Sequence, residues 1–290
     1  MLVSELMAGK TKARAGWPAD SDWIEQFREI VRKIPQSPEA QKNAENAGSL
    51  DLRKDFEHRY FDSKFGKVHY AHHYGRRPTI VFIHGFADSM VTWTKLMGHL
   101  PRNYDVYVVD LLGHGKSQAP DIDYSFKTHY EAVSGLIDSL NLKDYFVFGH
   151  SYGGWIAARL AMDKKVSGVI LEDAGGLREY VEERSTQNSG FEEEMVRLGL
   201  QASFKKGILR RMFDADNRAS YLTAETLGKI ASKALVIWGG KDAVIGEGFA
   251  KVFGEAIRGS KVAILEEDAH IPHYSNAAGV ARLLIDFVEN

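Results

Sequence analysis

Gly149-His150-Ser151-Tyr152-Gly153-Gly154 follows the apolar run Tyr145-Phe146-Val147-Phe148 and precedes Trp155-Ile156-Ala157-Ala158-Arg159-Leu160-Ala161-Met162. This order reads as strand, sharp turn and helix, with a serine at the turn. A side chain held on such a turn needs small neighbours two residues away on each side, because the backbone there is strained and closely packed. The turn lifts the Ser151 hydroxyl clear of the sheet. The helix that starts behind it directs unpaired N–H groups and its positive dipole end at any anion formed nearby. A serine hydroxyl is a weak nucleophile at neutral pH, so a base and a third group that orients the base are required next.

The sequence around this turn alternates strands and helices. Thr79–Ile83, Asp105–Val109, 144–148, Val166–Leu171, Ala234–Trp238 and Lys261–Leu265 are short runs apolar on both faces. Helical patterns are expected near 91–100, 126–140, 246–257 and 276–288. Such a rhythm predicts a mostly parallel sheet covered by helices on both sides. Ahead of it, Phe56–Phe61 and Val68–His72 flank a polar turn and predict an antiparallel hairpin. The rhythm breaks between Gly175 and Lys233, where charged helical pieces intervene.

Loops after parallel strands open at one common edge. Asp242, in Gly239-Gly240-Lys241-Asp242, follows the 234–238 strand, and His270, in Ala269-His270-Ile271-Pro272, follows the last strand. The chain order Ser151, Asp242, His270 therefore converges three loops on the rim that carries the serine. Asp173, at the end of the 166–171 strand, competes with Asp242 for the role of acid; beside Glu172, it is read as an anchor at the start of the insertion. His84, His114 and His150 sit inside turn motifs in which the backbone is expected to matter more than the ring. His273 is expected at the solvent or a helix start, and His69, His72 and His73 lack nearby carboxylates in sequence, so no metal site is expected.

At this point the chain resembles the α/β-hydrolase fold superfamily over about residues 56–290. His84-Gly85-Phe86 resembles the family's oxyanion loop, and Asp110-Leu111-Leu112-Gly113-His114-Gly115-Lys116-Ser117 resembles its structural Asp-x-x-Gly-x-Gly-x-Ser loop. The resemblance implies a helical cap after the sixth strand, at 176–232, inserted into a core of 56–175 and 233–290. It implies a Ser151, Asp242, His270 triad and an oxyanion hole from the Phe86 and Tyr152 amides, with no cofactor. Candidate pocket residues are Gly85, His150 and Trp155 beside the turn, and Phe204 and Met212 in the cap. Arg210 and Arg211 are read as solvated rather than as a site for a substrate carboxylate.

The expected activity is hydrolysis of small carboxylic esters through an acyl-enzyme, as in carboxylesterases and small lipases. Alternatives in the same fold are carbon–carbon bond hydrolases, peptidases and ligand receptors with little turnover. The family's dehalogenases and epoxide hydrolases put an aspartate where Ser151 stands, which disfavours both.

Bulk composition narrows the partners. Lys and Arg total 37 against 39 Asp and Glu, a formal charge of −2, which offers no basic footprint for nucleic acid or anionic membranes. The absence of cysteine excludes disulfides and thiolate chemistry. No run reaches the 18 or so apolar residues that span a bilayer, and a cytoplasmic protein is expected. Residues 1–55 stand apart as an N-terminal helical extension: Trp23, Phe27, Ile30 and Ile34 recur at helical spacing before Pro35. They are expected to pack on the core, or to form a homodimer contact, a role the cap could also take.

Overall fold

The computed structural model of the chain describes residues 50–179, 207–208, 211–212 and 215–290. Eight strands form one sheet: β1 (Glu57–Ser63), β2 (Gly66–His73), β3 (Thr79–Ile83), β4 (Asp105–Val109), β5 (Tyr145–His150), β6 (Gly168–Glu172), β7 (Lys233–Gly239) and β8 (Lys261–Leu265). Their order across the sheet is β1-β2-β4-β3-β5-β6-β7-β8. β1, β2 and β4 pair antiparallel, and every neighbour from β4 through β3 to β8 is parallel. The predicted hairpin and parallel sheet are thus both present.

Helices α1 (Thr94–Met97), α2 (Phe126–Leu140), α3 (Tyr152–Asp163), α4 (Ala224–Leu227), α5 (Gly248–Ala256), α6 (Pro272–Ser275) and α7 (Ala277–Glu289) complete the described fold. Side chains one residue apart on a strand point to opposite faces, and the sheet uses both. Val81, Ile83, Val109 and Val147 face α2, α3 and α5 in one core, whereas Ile80, Phe82, Val108 and Phe148 face α1 and α7 in the other. Burial on both faces explains why these strands read as unbroken apolar runs. Leu50 and Leu52, ahead of β1, are buried in the α1/α7 core.

Helix boundaries follow local chemistry. Ser125 caps α2 by accepting the Thr128 N–H at 3.2 Å, and Asn141 ends it in the left-handed region at φ 49°. The helix expected near 91–100 is shorter and divided, a 3₁₀ turn at Met90–Trp93 followed by the single turn α1. The helix expected near 276–288 is preceded by the separate turn α6, which Pro272 opens from its first position. At the two ends of the β6–β7 insertion, Leu177 pairs with Leu222, and the Leu222 N–H donates to Gly176 O at 2.7 Å. Most of the insertion, Phe204 included, and the extension through residue 49 lie outside the described residues.

Candidate functional site

β5 ends at His150 and α3 begins at Tyr152, so Ser151 alone makes the turn between them. Its φ is +51° and its ψ −116°, a conformation that costs a side-chain-bearing residue about 1–3 kcal/mol. The turn is possible because Gly149 and Gly153 lack side chains. A Cβ on Gly149 would lie 2.2 Å from Gly153 O, and one on Gly153 would lie 2.2 Å from Ile83 O. The backbone of the turn is tied down by Ser151 N–H donating to Glu172 O at 2.9 Å, and by Gly175 N–H donating to Ser151 O at 2.9 Å.

The loops after β7 and β8 bring two partners to this serine. His270 Nε2 lies 3.0 Å from Ser151 Oγ, and His270 Nδ1 lies 3.0 Å from Asp242 Oδ2. A carboxylate only accepts, so Nδ1 carries the ring proton, and Nε2 presents its lone pair to the serine hydroxyl. Asp242 is fixed in turn by the Val244 and Ile245 N–H groups, which donate to Oδ1 at 2.8 and 3.2 Å. Burial raises the Asp242 carboxyl, but the His270 ring and the Val244 N–H outweigh it and bring the group below the usual carboxylate range.

The other predicted residues fall in definite places. Phe86 packs against the core on the α2/α3 side, and Tyr152 is the first residue of α3. Gly85 lies against the His150 ring, where a Cβ would come within 2.9 Å of Nδ1. His150 donates from Nε2 to His270 O at 2.7 Å, which holds the loop that carries His270. Trp155 is buried, stacked on Phe126 at 4.0 Å, and its indole donates to Ser220 O at 2.9 Å. Its visible contacts are those of a core residue beneath the insertion. Met212 is likewise buried in that core. Arg211 pairs with the Asp121 carboxylate and donates to Ile122 O at 3.0 Å.

Several histidines depart from the expectations. His273 begins a helix as expected but is wholly buried rather than solvent-facing, because its Nδ1 pairs with the Glu172 carboxylate. The His84 ring matters as much as its backbone: Nδ1 donates to Gly85 O at 2.7 Å and Nε2 accepts the Leu111 N–H at 3.0 Å. His69 and His72 do have carboxylates beside them, Asp110 and Asp105, each at 2.7 Å. Sequence spacing hid these partners because β2 pairs with β4, more than thirty residues away. Asp173 stands within the site: an oxygen of Asp173, an oxygen of Asp242 and a ring nitrogen of His270 lie within 4.8 Å of one another.

Beneath Tyr152, the buried His129 accepts the tyrosine hydroxyl at Nδ1, 3.0 Å away, and donates from Nε2 to Leu112 O at 3.1 Å. Burial holds this imidazole down to about 4, against its ordinary 6.5. The unfolded chain therefore takes up the proton first as pH falls, and the stability tied to a neutral His129 is present above pH 6.5 and lost toward pH 4. The shift corresponds to about 3 kcal/mol. The urea midpoint should fall across this window, and His129→Gln should flatten that fall; an equal slope in the variant would contradict the assignment.

With this geometry in view, comparison with known proteins identifies the fold. A model of the α/β-hydrolase fold family matches residues 78–209. A solved membrane phospholipase A, described as a bacterial virulence factor, superposes with a TM-score of 0.68 at 20% identity, covering 91% of this chain and 92% of that one. The chain has the α/β-hydrolase fold. Among hydrolase relatives, the monoacylglycerol lipase abhd6-B of Xenopus laevis is 26% identical over 258 residues, 74% of this chain and 77% of that protein. An uncharacterized protein of Mycobacterium tuberculosis is 35% identical over 109 residues, 37% of this chain, and the match spans only 32% of that protein's length. Among the described residues of this hydrolase-fold chain, no helix is long and apolar enough to cross a membrane.

Proposed function

We propose that the protein is a serine hydrolase of carboxylic esters acting through a Ser151, His270, Asp242 triad. The observation that carries this reading is the pair of 3.0 Å contacts linking Ser151 Oγ, the His270 ring and Asp242 at a strained turn. In the reaction, His270 Nε2 takes the Ser151 proton as Oγ attacks the ester carbonyl carbon. Asp242 keeps the ring in the tautomer that can accept this proton, and stabilises the imidazolium that forms. The Tyr152 amide, at the head of α3, and the Phe86 amide bind the carbonyl oxygen as it becomes an oxyanion. Collapse of the tetrahedral intermediate returns the proton from His270 to the leaving alcohol. Water, deprotonated by the same ring, then releases the acid from the acyl-enzyme.

The substrate class proposed is a small or single-chain lipid ester. The names of the similar proteins, a monoacylglycerol lipase and a phospholipase A, support this choice over amides or carbon–carbon bonds. The β6–β7 insertion, 176–232, is proposed as the cap that selects the acyl chain. A panel of p-nitrophenyl esters of rising chain length, monoacylglycerols, anilides and vinylogous diketones tests the reading. Multiple-turnover ester hydrolysis with little anilide or diketone cleavage is expected. A single-turnover burst, or ligand-induced stabilisation without turnover, would instead favour a binding protein built on this fold.

A further inference from the structure

Asp173 occupies an unusual position for a carboxylate. It follows β6 directly, at a φ of +42°, and it is wholly buried. β7 grips it twice. The Asp173 N–H donates to Ile237 O at 3.0 Å, and Asp173 Oδ1 accepts the Gly239 N–H at 3.0 Å. Its other oxygen, Oδ2, is buried, and no N–H or hydroxyl donor of the described residues reaches it.

Two of the three titratable groups around it are acids. Asp242 comes from the loop after β7, Glu172 precedes it on β6, and His270 comes from the loop after β8. Glu172 turns both its oxygens to His273 and offers nothing to its neighbour. Asp242 spends Oδ1 on two backbone N–H groups and Oδ2 on His270. Among the described residues, no lysine or arginine pairs with Asp173 or Asp242. One imidazole cannot balance two adjoining buried carboxylates, and like charges at such range are not both ionised. A proton on Asp173 resolves both difficulties, since it supplies the donor that the two facing carboxyl groups lack.

We propose that Asp173 is a neutral carboxylic acid that donates its hydroxyl proton to the Asp242 carboxylate, as a positioning residue behind the Ser151, His270, Asp242 array. This rests on the triad reading above. The direction of the acidities agrees: burial, then the charges of Asp242 and Glu172, push Asp173 well above the ordinary carboxyl value, while Asp173 helps hold Asp242 down. The consequence is that the buried acid pair carries one negative charge. That charge matches the single positive charge of the imidazolium formed during the reaction. The bond from Asp173 also draws density from Asp242, the acceptor of the His270 Nδ1 proton.

The test compares wild type, Asp173→Asn and Asp173→Leu by two readouts. The first is stability and needs no turnover. A carboxyl whose folded value lies above its unfolded one stabilises fully below about pH 4 and loses that contribution as pH rises, because the unfolded chain releases the proton first. Asparagine is neutral at every pH and keeps a donor, so its urea midpoint should gain on wild type as pH rises above about 4. A midpoint that instead falls behind wild type as pH rises would mean that Asp173 is ionised, and would overturn the proposal.

The second readout is the acid limb of the kcat/KM profile. Asp173→Asn should leave it in place, whereas Asp173→Leu, with no donor for Asp242, should displace it upward by about 0.5–1 unit. A limb moved to lower pH in Asp173→Asn, as loss of a negative charge would give, again overturns the proposal. Should the leucine variant not fold, the asparagine variant decides alone. Turnover that survives Ser151→Ala would sink the triad reading by itself, and the stability comparison would still decide where the proton sits.

Discussion

Ser151→Ala should lower kcat for ester hydrolysis by on the order of 10⁴-fold or more, with the fold intact. The size follows from the geometry. Ser151 Oγ is the atom held 3.0 Å from His270 Nε2 and raised on the turn ahead of α3. On the proposed mechanism, without it His270 can at best direct water, and the amides proposed to bind the oxyanion are left to act without a covalent step. The fold should survive because the serine side chain makes no capping bond to α3. The bonds that fix the turn are backbone bonds, from Ser151 N–H to Glu172 O and from the Gly175 N–H to Ser151 O. Alanine preserves both, so the urea midpoint should move by no more than about 0.5 kcal/mol in unfolding free energy. Steady-state rates on a p-nitrophenyl ester beside urea unfolding separate the two effects. Near-normal turnover by the variant would remove Ser151 from the chemistry.

Much of this site is legible in the chain because its chemistry is local to turns. Gly149, Ser151 and Gly153 announce a strained strand-to-helix turn by their spacing alone, and the structure holds Ser151 at positive φ there. The edge to which Asp242 and His270 converge follows from strand direction, which the alternation of apolar runs and helices implies. The sheet order is a different matter. Nothing in the spacing places β4 between β2 and β3, and it is this order that sets Asp110 and Asp105 against His69 and His72.

Partners separated by a hundred residues are equally hidden. Glu172 and His273 show no mutual signal in sequence, and a histidine three residues beyond the proposed base reads naturally as a surface residue. Burial of that ring is decided by a carboxylate at the end of another strand. Asp173 reads as a rival to Asp242 for one role. In the fold both acids stand at the same place, and the question changes from which acid is present to which of them holds a proton.

Glu172→Ala is expected to be the most damaging change outside the reacting groups, costing about 3–5 kcal/mol of stability. Glu172 joins the two halves of the site. Its carbonyl accepts the Ser151 N–H, and its side chain, wholly buried, accepts the His273 N–H at 2.9 Å and pairs with His273 Nδ1. The ring passes the connection on: Nε2 lies 2.8 Å from Thr92 Oγ1, with the imidazole 4.2 Å from the Trp93 ring and 4.8 Å from His150. Alanine leaves two buried donors without acceptors and opens a cavity at the centre of this cluster. Thr92→Val removes a single hydrogen bond at the far end, and should cost about 1 kcal/mol. Because His273 stands three residues from His270, loosening it should also displace that proposed base, so kcat should fall in Glu172→Ala at temperatures where the variant remains folded. Glu172→Gln keeps the shape and one acceptor, and should lie between alanine and wild type. Urea unfolding of the three variants gives the ranking; an alanine variant within 1 kcal/mol of wild type would mean that the strand end and the base loop are held together by packing, with the carboxylate incidental.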